Sequence, residues 1–330
     1  MQLFTKVARW KLVVAFAAIY LIWGSTYLAN RFAIETLPPF VMAGVRFLIA
    51  GGLLFGWSMW RNRERLTLAH WRSATIIGAL LLLVGNGGVV WSEQFISSGL
   101  AALLVATEPL WIVLFEWLQP QGNRPSRGVI FGLLAGLIGM VILIEPSQLA
   151  SGHGIHLGGI LAVTAATIAW AIGSLYSRKA DLPASPTLAT AMTMLTGGGL
   201  LLLTGTLTGE WRQVHLDQIS TKSLISVGYL ISFGSVVAFS TYTWLLRVCA
   251  PGQVATYAYV NPVVAVALGW ALAGEIITGR TLIASAVILA GVAFITLFQN
   301  NPTPIGKTNI ENEPSRSEPS LGFYGLVEDH

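Results

Sequence analysis

The sequence predicts an all-α integral membrane protein, with ten transmembrane helices arranged as two inverted five-helix repeats. Three observations predict it. Of 330 residues, 54% are hydrophobic and only 10% charged, against about 25% charged in a soluble domain, and the mean hydropathy is +0.67. The apolar residues fall in runs long enough to cross a hydrocarbon core, which takes about 20 residues of helix. The second half of the chain also repeats landmarks of the first at constant spacing.

The runs cover residues 12–32, 40–60, 73–92, 99–118, 127–145, 155–177, 187–207, 223–245, 252–273 and 280–298. The first is of span length and ends without a small-residue cleavage site, so it reads as a retained helix rather than a signal peptide. The second carries Arg46 about six residues inside the membrane, and the third carries Gly85-Asn86-Gly87-Gly88. The fourth, SGLAALLVATEPLWIVLFEWL, has Glu108 at its middle with Pro109 behind it. The fifth bears Gly128, Gly132 and Gly136, a ridge of small residues suited to close helix packing or to dimerisation. The ninth, PGQVATYAYVNPVVAVALGWA, puts Asn261 and Pro262 where the fourth has Glu108 and Pro109.

Trp23 and Arg31 recur as Trp170 and Arg178, and Gly51-Gly52-Leu53 as Gly198-Gly199-Leu200, at one spacing. Trp91, Gly99, Pro109 and Trp117 recur as Trp244, Gly252, Pro262 and Trp270 at a second. The repeats are thus residues 12–145 and 155–298, and an odd number of spans in each turns them opposite ways in the membrane. A tail over residues 1–11 precedes them. The polar stretch 299–330, with Pro302, Pro304, Pro314 and Pro319, reads as a disordered tail. Lys6, Arg9, Lys11, Arg61, Arg63, Arg65, Arg72, Arg124, Arg127, Arg178, Lys179, Arg247, Lys307 and Arg316 fall on one side, against Arg31, Arg212, Lys222 and Arg280 on the other. The richer side is the cytoplasmic one, which puts both termini there.

Composition also excludes. There is no basic run with interleaved aromatics, so nucleic acid is not a partner. The single cysteine, Cys249, rules out an intrachain disulfide. His153 and His156 are too few ligands for a metal. Gly306-Lys307-Thr308 lacks the leading glycine and the strand of a phosphate loop. No cofactor, metal or ATP is therefore expected.

The candidate chemistry sits at mid-membrane. A carboxylate there costs several kcal/mol, so Glu108 points to binding an amine, taking up a proton or pairing with Arg46. Arg46 anchors a carboxylate, gates, or snorkels to headgroups. Asn261 contacts substrate or satisfies the turn broken by Pro262, with Tyr257 one turn earlier on the same face. Asn86 faces the cavity or a neighbouring backbone. Trp23, Tyr27 and Trp170 offer stacking or cation–π walls, although most membrane aromatics form interfacial belts. Two proline-marked helix breaks, at Pro109 and Pro262, are the sequence's pointer to a transport site.

Several segments resemble a known family. LIWGSTYLANRFAIE, LPPFVMAGVRFLIAGG, VGNGGVVWSEQFISSGLAALLVATEPLW, IAWAIGSLYSRKA and APGQVATYAYVNPVVAVALGW are similar to the EamA-type transporters of the drug/metabolite transporter superfamily, in the YedA-like bacterial inner-membrane branch. The resemblance implies a central cavity lined mainly by spans 1, 3, 4, 6, 8 and 9, and the export of small metabolites. The expectation is a secondary active exporter of small amphiphilic compounds, such as amino acids or amines, working by alternating access. Its partners would be the small-molecule substrate, membrane lipid and a coupling proton, and the chain would be a monomer or a homodimer. The rival is an intramembrane enzyme or a non-transporting scaffold, but the spans hold no histidine and no paired nucleophile and base.

Overall fold

The computed structural model describes residues 8–61, 64–95, 101, 104–119, 124–143, 157–273 and 278–298. Among these every regular element is helical. In hydrocarbon no water takes up a free N–H or C=O, so so apolar a chain closes its backbone bonds within helices. The longer ones are α1 (Arg9–Ile34), α2 (Pro39–Arg61), α3 (Leu68–Ser92), α4 (Glu108–Trp117), α5 (Arg127–Leu143), α6 (Leu157–Ser177), α7 (Pro186–Leu207), α8 (Thr221–Val248), α9 (Tyr257–Ala273) and α10 (Gly279–Phe298), with short helical turns at Glu210–Gln213, Leu216–Gln218 and Pro251–Val254. Of these, α1, α2, α3, α6, α7 and α8 are long and apolar enough to cross a membrane. The first helix begins at Arg9, inside the tail expected over 1–11. His153, His156, Lys307 and the tail 299–330 lie outside the described residues.

Glycines set how closely the helices approach. Along the α2–α7 contact, a Cβ on Gly51 would lie 2.9 Å from that of Met194, and one on Gly198 would lie 3.0 Å from the Leu48 amide nitrogen. The ridge on α5 is used within the chain. A Cβ on Gly132 would stand 2.7 Å from the Gly291 carbonyl oxygen of α10, while Gly128 faces Phe298 and Gly136 faces the Tyr259 ring.

The helix contacts come in matched sets. The repeat-related helices α2 and α7 pack along each other, and so do α5 and α10. α1 packs on α9 and on the middle of α8, whereas α6 packs on α4 and on the middle of α3. Those two middles share a local form. Gly78–Gly87 in α3 and Leu230–Phe239 in α8 are both π-helical, with the wider i→i+5 turn.

Two carboxylates tie α2 and α7 end to end. Glu210, past the end of α7, accepts from the Val41 and Phe40 amides in the first turn of α2, at 2.9 and 3.3 Å. Glu64, past the end of α2, accepts from the Ala184 and Ser185 amides where α7 begins, at 2.7 and 3.3 Å. First-turn N–H groups have no partner within their own helix, so each acid supplies what the other helix lacks. Burial pushes the Glu210 carboxyl above the ordinary carboxylate range, and the two amides pull it back down. Between the paired helices lies the main apolar cluster, with Ile19, Phe47, Leu81, Leu82, Met194 and Phe239 buried.

Candidate functional site

Two helix interruptions build the site. Val105-Ala106-Thr107 precedes α4 and Val254-Ala255-Thr256 precedes α9. In both, the threonine hydroxyl bonds back to a carbonyl three residues earlier: Thr107 Oγ1 donates to Leu104 O, and Thr256 Oγ1 to Gln253 O, each at 2.6 Å. Each of these carbonyls thus accepts from both the amide and the hydroxyl of the threonine three residues on. The next residue in each case opens the following helix. Those two residues, Glu108 and Tyr257, meet: Tyr257 Oη donates to Glu108 Oε2 at 2.6 Å.

This corrects the placement of one break. Pro109 stands in the first turn of α4, where its missing N–H removes no intrahelical bond. Pro262 lies inside α9, and the interruption falls at Ala255–Thr256 instead. With its side-chain nitrogen turned towards them, Asn261 donates to Tyr257 O at 3.1 Å and across to Tyr20 O of α1 at 3.2 Å.

Glu108, Asn261, Arg46, Asn86, Trp23, Trp170 and Tyr257 line a single cavity of about 100 Å3. A water needs about 10–15 Å3 of such space, so the cavity admits several. Tyr27 is on α1, and its side chain lies outside the described set. Both π-helical segments reach the cavity, through Gly85 and Asn86 on one side and Gly234 and Phe239 on the other. Glu108 is 2% exposed. Its Oε1, like Oδ1 of Asn86, is buried and has no hydrogen-bond partner among the described residues.

Arg46 is engaged elsewhere. Its Nε donates to Ser235 Oγ at 2.8 Å and its Nη1 to Asn30 Oδ1 at 3.3 Å, and the guanidinium lies 4.6 Å from the centre of the Phe47 ring. The pairing with Glu108 considered from the sequence is not made; Arg46 instead links α2 to α1 and α8. The indole donors are also tied down. Trp23 Nε1 donates to Gly234 O at 3.2 Å and Trp170 Nε1 to Tyr242 Oη at 2.8 Å. Trp23 belongs to a ring cluster, 4.7 Å from Tyr257, 5.1 Å from Tyr242 and 5.9 Å from Trp170.

Sequence reasoning missed Glu93, which lines the same cavity from one residue past the end of α3, along with Thr26, Asn30 and Thr167. Burial pushes the Glu93 carboxyl up to about 7, against the pull of Arg31. The repeated Val-Ala-Thr triplet was legible and aligns Glu108 with Tyr257, but the proline landmarks drew the alignment to Asn261 instead. Among the described residues no group of His, Cys, Asp and Glu could hold a metal ion.

The EamA-like transporter family model matches the chain twice, over residues 10–145 and 157–297. The uncharacterized inner membrane transporter YedA of Escherichia coli (strain K12) is 40% identical over 284 residues, covering 86% of this chain and 90% of that protein. A probable amino-acid metabolite efflux pump of Salmonella typhimurium is 24% identical, over 85% of this chain and 92% of its own length. One solved crystal structure, 23% identical, superposes with a TM-score of 0.71 over 86% of this chain and 96% of that one. The matches run through both halves of the chain, which therefore belongs to the EamA-like transporters, as a YedA-like multi-pass protein of the inner membrane.

Proposed function

We propose that the protein is a secondary active exporter of small amphiphilic metabolites, amino acids or amines, working by alternating access. Two inverted five-helix repeats rock about the cavity at Glu108 and Tyr257 and expose it to one side of the membrane at a time. The observation that carries this reading is the meeting of two matching helix interruptions at a buried acid with one unpaired oxygen. The reciprocal packing of α2 with α7 and of α5 with α10 supports the repeat, and the distribution of Lys and Arg supports cytoplasmic termini. Glu108 is the first candidate to carry a coupling proton and Glu93 the second. A relative named as a probable amino-acid metabolite efflux pump favours export.

The test is counterflow in proteoliposomes loaded with a mixture of amino acids and cationic amphiphiles. Saturable exchange that Glu108→Gln abolishes supports the proposal. Chemical turnover of a lipid or peptide without exchange would mark an intramembrane enzyme instead.

A further inference from the structure

We infer that the cavity is built for an organic cation, a protonated amine on an aromatic or aliphatic body, seated with its nitrogen against Glu108. The inference rests on the transport reading above and adds the charge of the cargo. It starts from the unmet hydrogen-bonding capacity of the lining. Glu108 and Asn86 line the cavity, and Glu108 Oε1 and Asn86 Oδ1 are buried and lack a partner among the described residues. Both are acceptors. A buried acceptor left unpaired costs about 1–3 kcal/mol, and a primary ammonium brings three N–H donors to meet it. Tyr257 holds Oε2 at 2.6 Å, which fixes Oε1 as the oxygen left to receive the ligand.

The cavity's own cation does not compete for that role or offer an equal site to an anion. Arg46 is 3% exposed and bonded to Ser235 and Asn30, with its flat face on Phe47. Those contacts use two of its five N–H donors and pin the guanidinium to α1 and α8. A substrate carboxylate would also meet two carboxyl groups, Glu108 and Glu93, in the same lining. The rings point to the same class. Trp23 and Trp170 have their N–H groups bonded to protein, so what they and Tyr257 present is π surface, which attracts a cation and packs against an apolar body.

The test uses three compounds with one shared body and different charge: phenethylamine, phenylalanine and hydrocinnamate. Each is titrated calorimetrically into the purified full-length protein. Phenethylamine is expected to bind at least about tenfold more tightly than the zwitterion or the anion, a difference of about 1.4 kcal/mol. Glu108→Gln is expected to weaken the amine by about tenfold and change the other two by less than about twofold. Asn86→Asp, read beside it with thermal unfolding as the check on folding, adds a carboxylate near the amine and is expected to tighten it. Equal or tighter binding of phenylalanine or hydrocinnamate overturns the inference. So does amine binding that ignores Glu108→Gln, and so does no amine binding at all. Counterflow of the same compounds separates the two readings: exchange of phenylalanine without phenethylamine leaves the transporter and removes the cation. Amine binding with no exchange of any of the three leaves the cation and removes the transporter.

Discussion

Glu108 shows how a costly residue is kept. Its carboxyl opens α4, where the N-terminal end of the helix favours negative charge, and one oxygen accepts from Tyr257. The other oxygen is buried and has no partner among the described residues. Tyr257→Phe would leave both oxygens without a donor and is expected to cost about 1–3 kcal/mol. The check is the melting temperature of the purified variant; an unchanged value would show that the hydrogen bond contributes nothing. Glu93 yields a pH-dependent prediction. Its carboxyl titrates at about 7 in the fold rather than near the ordinary 4.5, so the folded protein binds the proton more tightly than the unfolded chain does. Its partly buried charge therefore costs stability above about pH 7, and that cost fades as the pH falls towards about 4.5. Glu93→Gln is expected to raise the melting temperature at about pH 8, with the gap to the parent closing by about pH 5. A gap that is constant with pH, or that widens on acidification, would contradict this assignment.

At the scale of elements, the chain spends its small and acidic residues where helices must touch. Glu64 and Glu210 each hold the start of the other's helix. Replacing either with alanine is expected to cost about 1–2 kcal/mol, the range of a lost helix cap, read as a lower melting temperature. The pair removed together should cost roughly the sum, because the two sites share no partner. Gly132→Leu is expected to do more harm, since the new side chain would start 2.7 Å from the Gly291 carbonyl and force α5 off α10. Retention of the parent's melting temperature in that variant would refute the close approach. Much of this was legible beforehand. Apolar runs located the helices, and a mid-span acid beside a proline singled out Glu108. What escaped was the partner of each group. The proline alignment paired Glu108 with Asn261, yet the interruptions fall at the Val-Ala-Thr turns, where each threonine's amide and hydroxyl bond the carbonyl three residues back. Glu93 was missed because run counting ends a span at its last apolar residue, whereas the cavity extends past that point. Arg46's partners Asn30 and Ser235 come from two other helices, and periodicity along one helix carries no information about them.

For the whole molecule, the account is of two similar halves whose differences lie in the cavity. Repeat-related helices pack on each other, and both π-helical segments flank the site. The charge is unequal, with Glu108 in one half answered by Tyr257 in the other. In the transport cycle proposed above, such a frame would have two equivalent tilts and pass a ligand at the centre from one side to the other as it changes tilt. Val105, which lines the cavity beside the first interruption, offers a direct readout. In a Cys249→Ala background, Val105→Cys should react with a membrane-impermeant maleimide applied from either side of the membrane, and bound substrate should slow both reactions. Reaction from one face only, whatever ligand is present, would contradict the claim that this cavity opens alternately to the two sides.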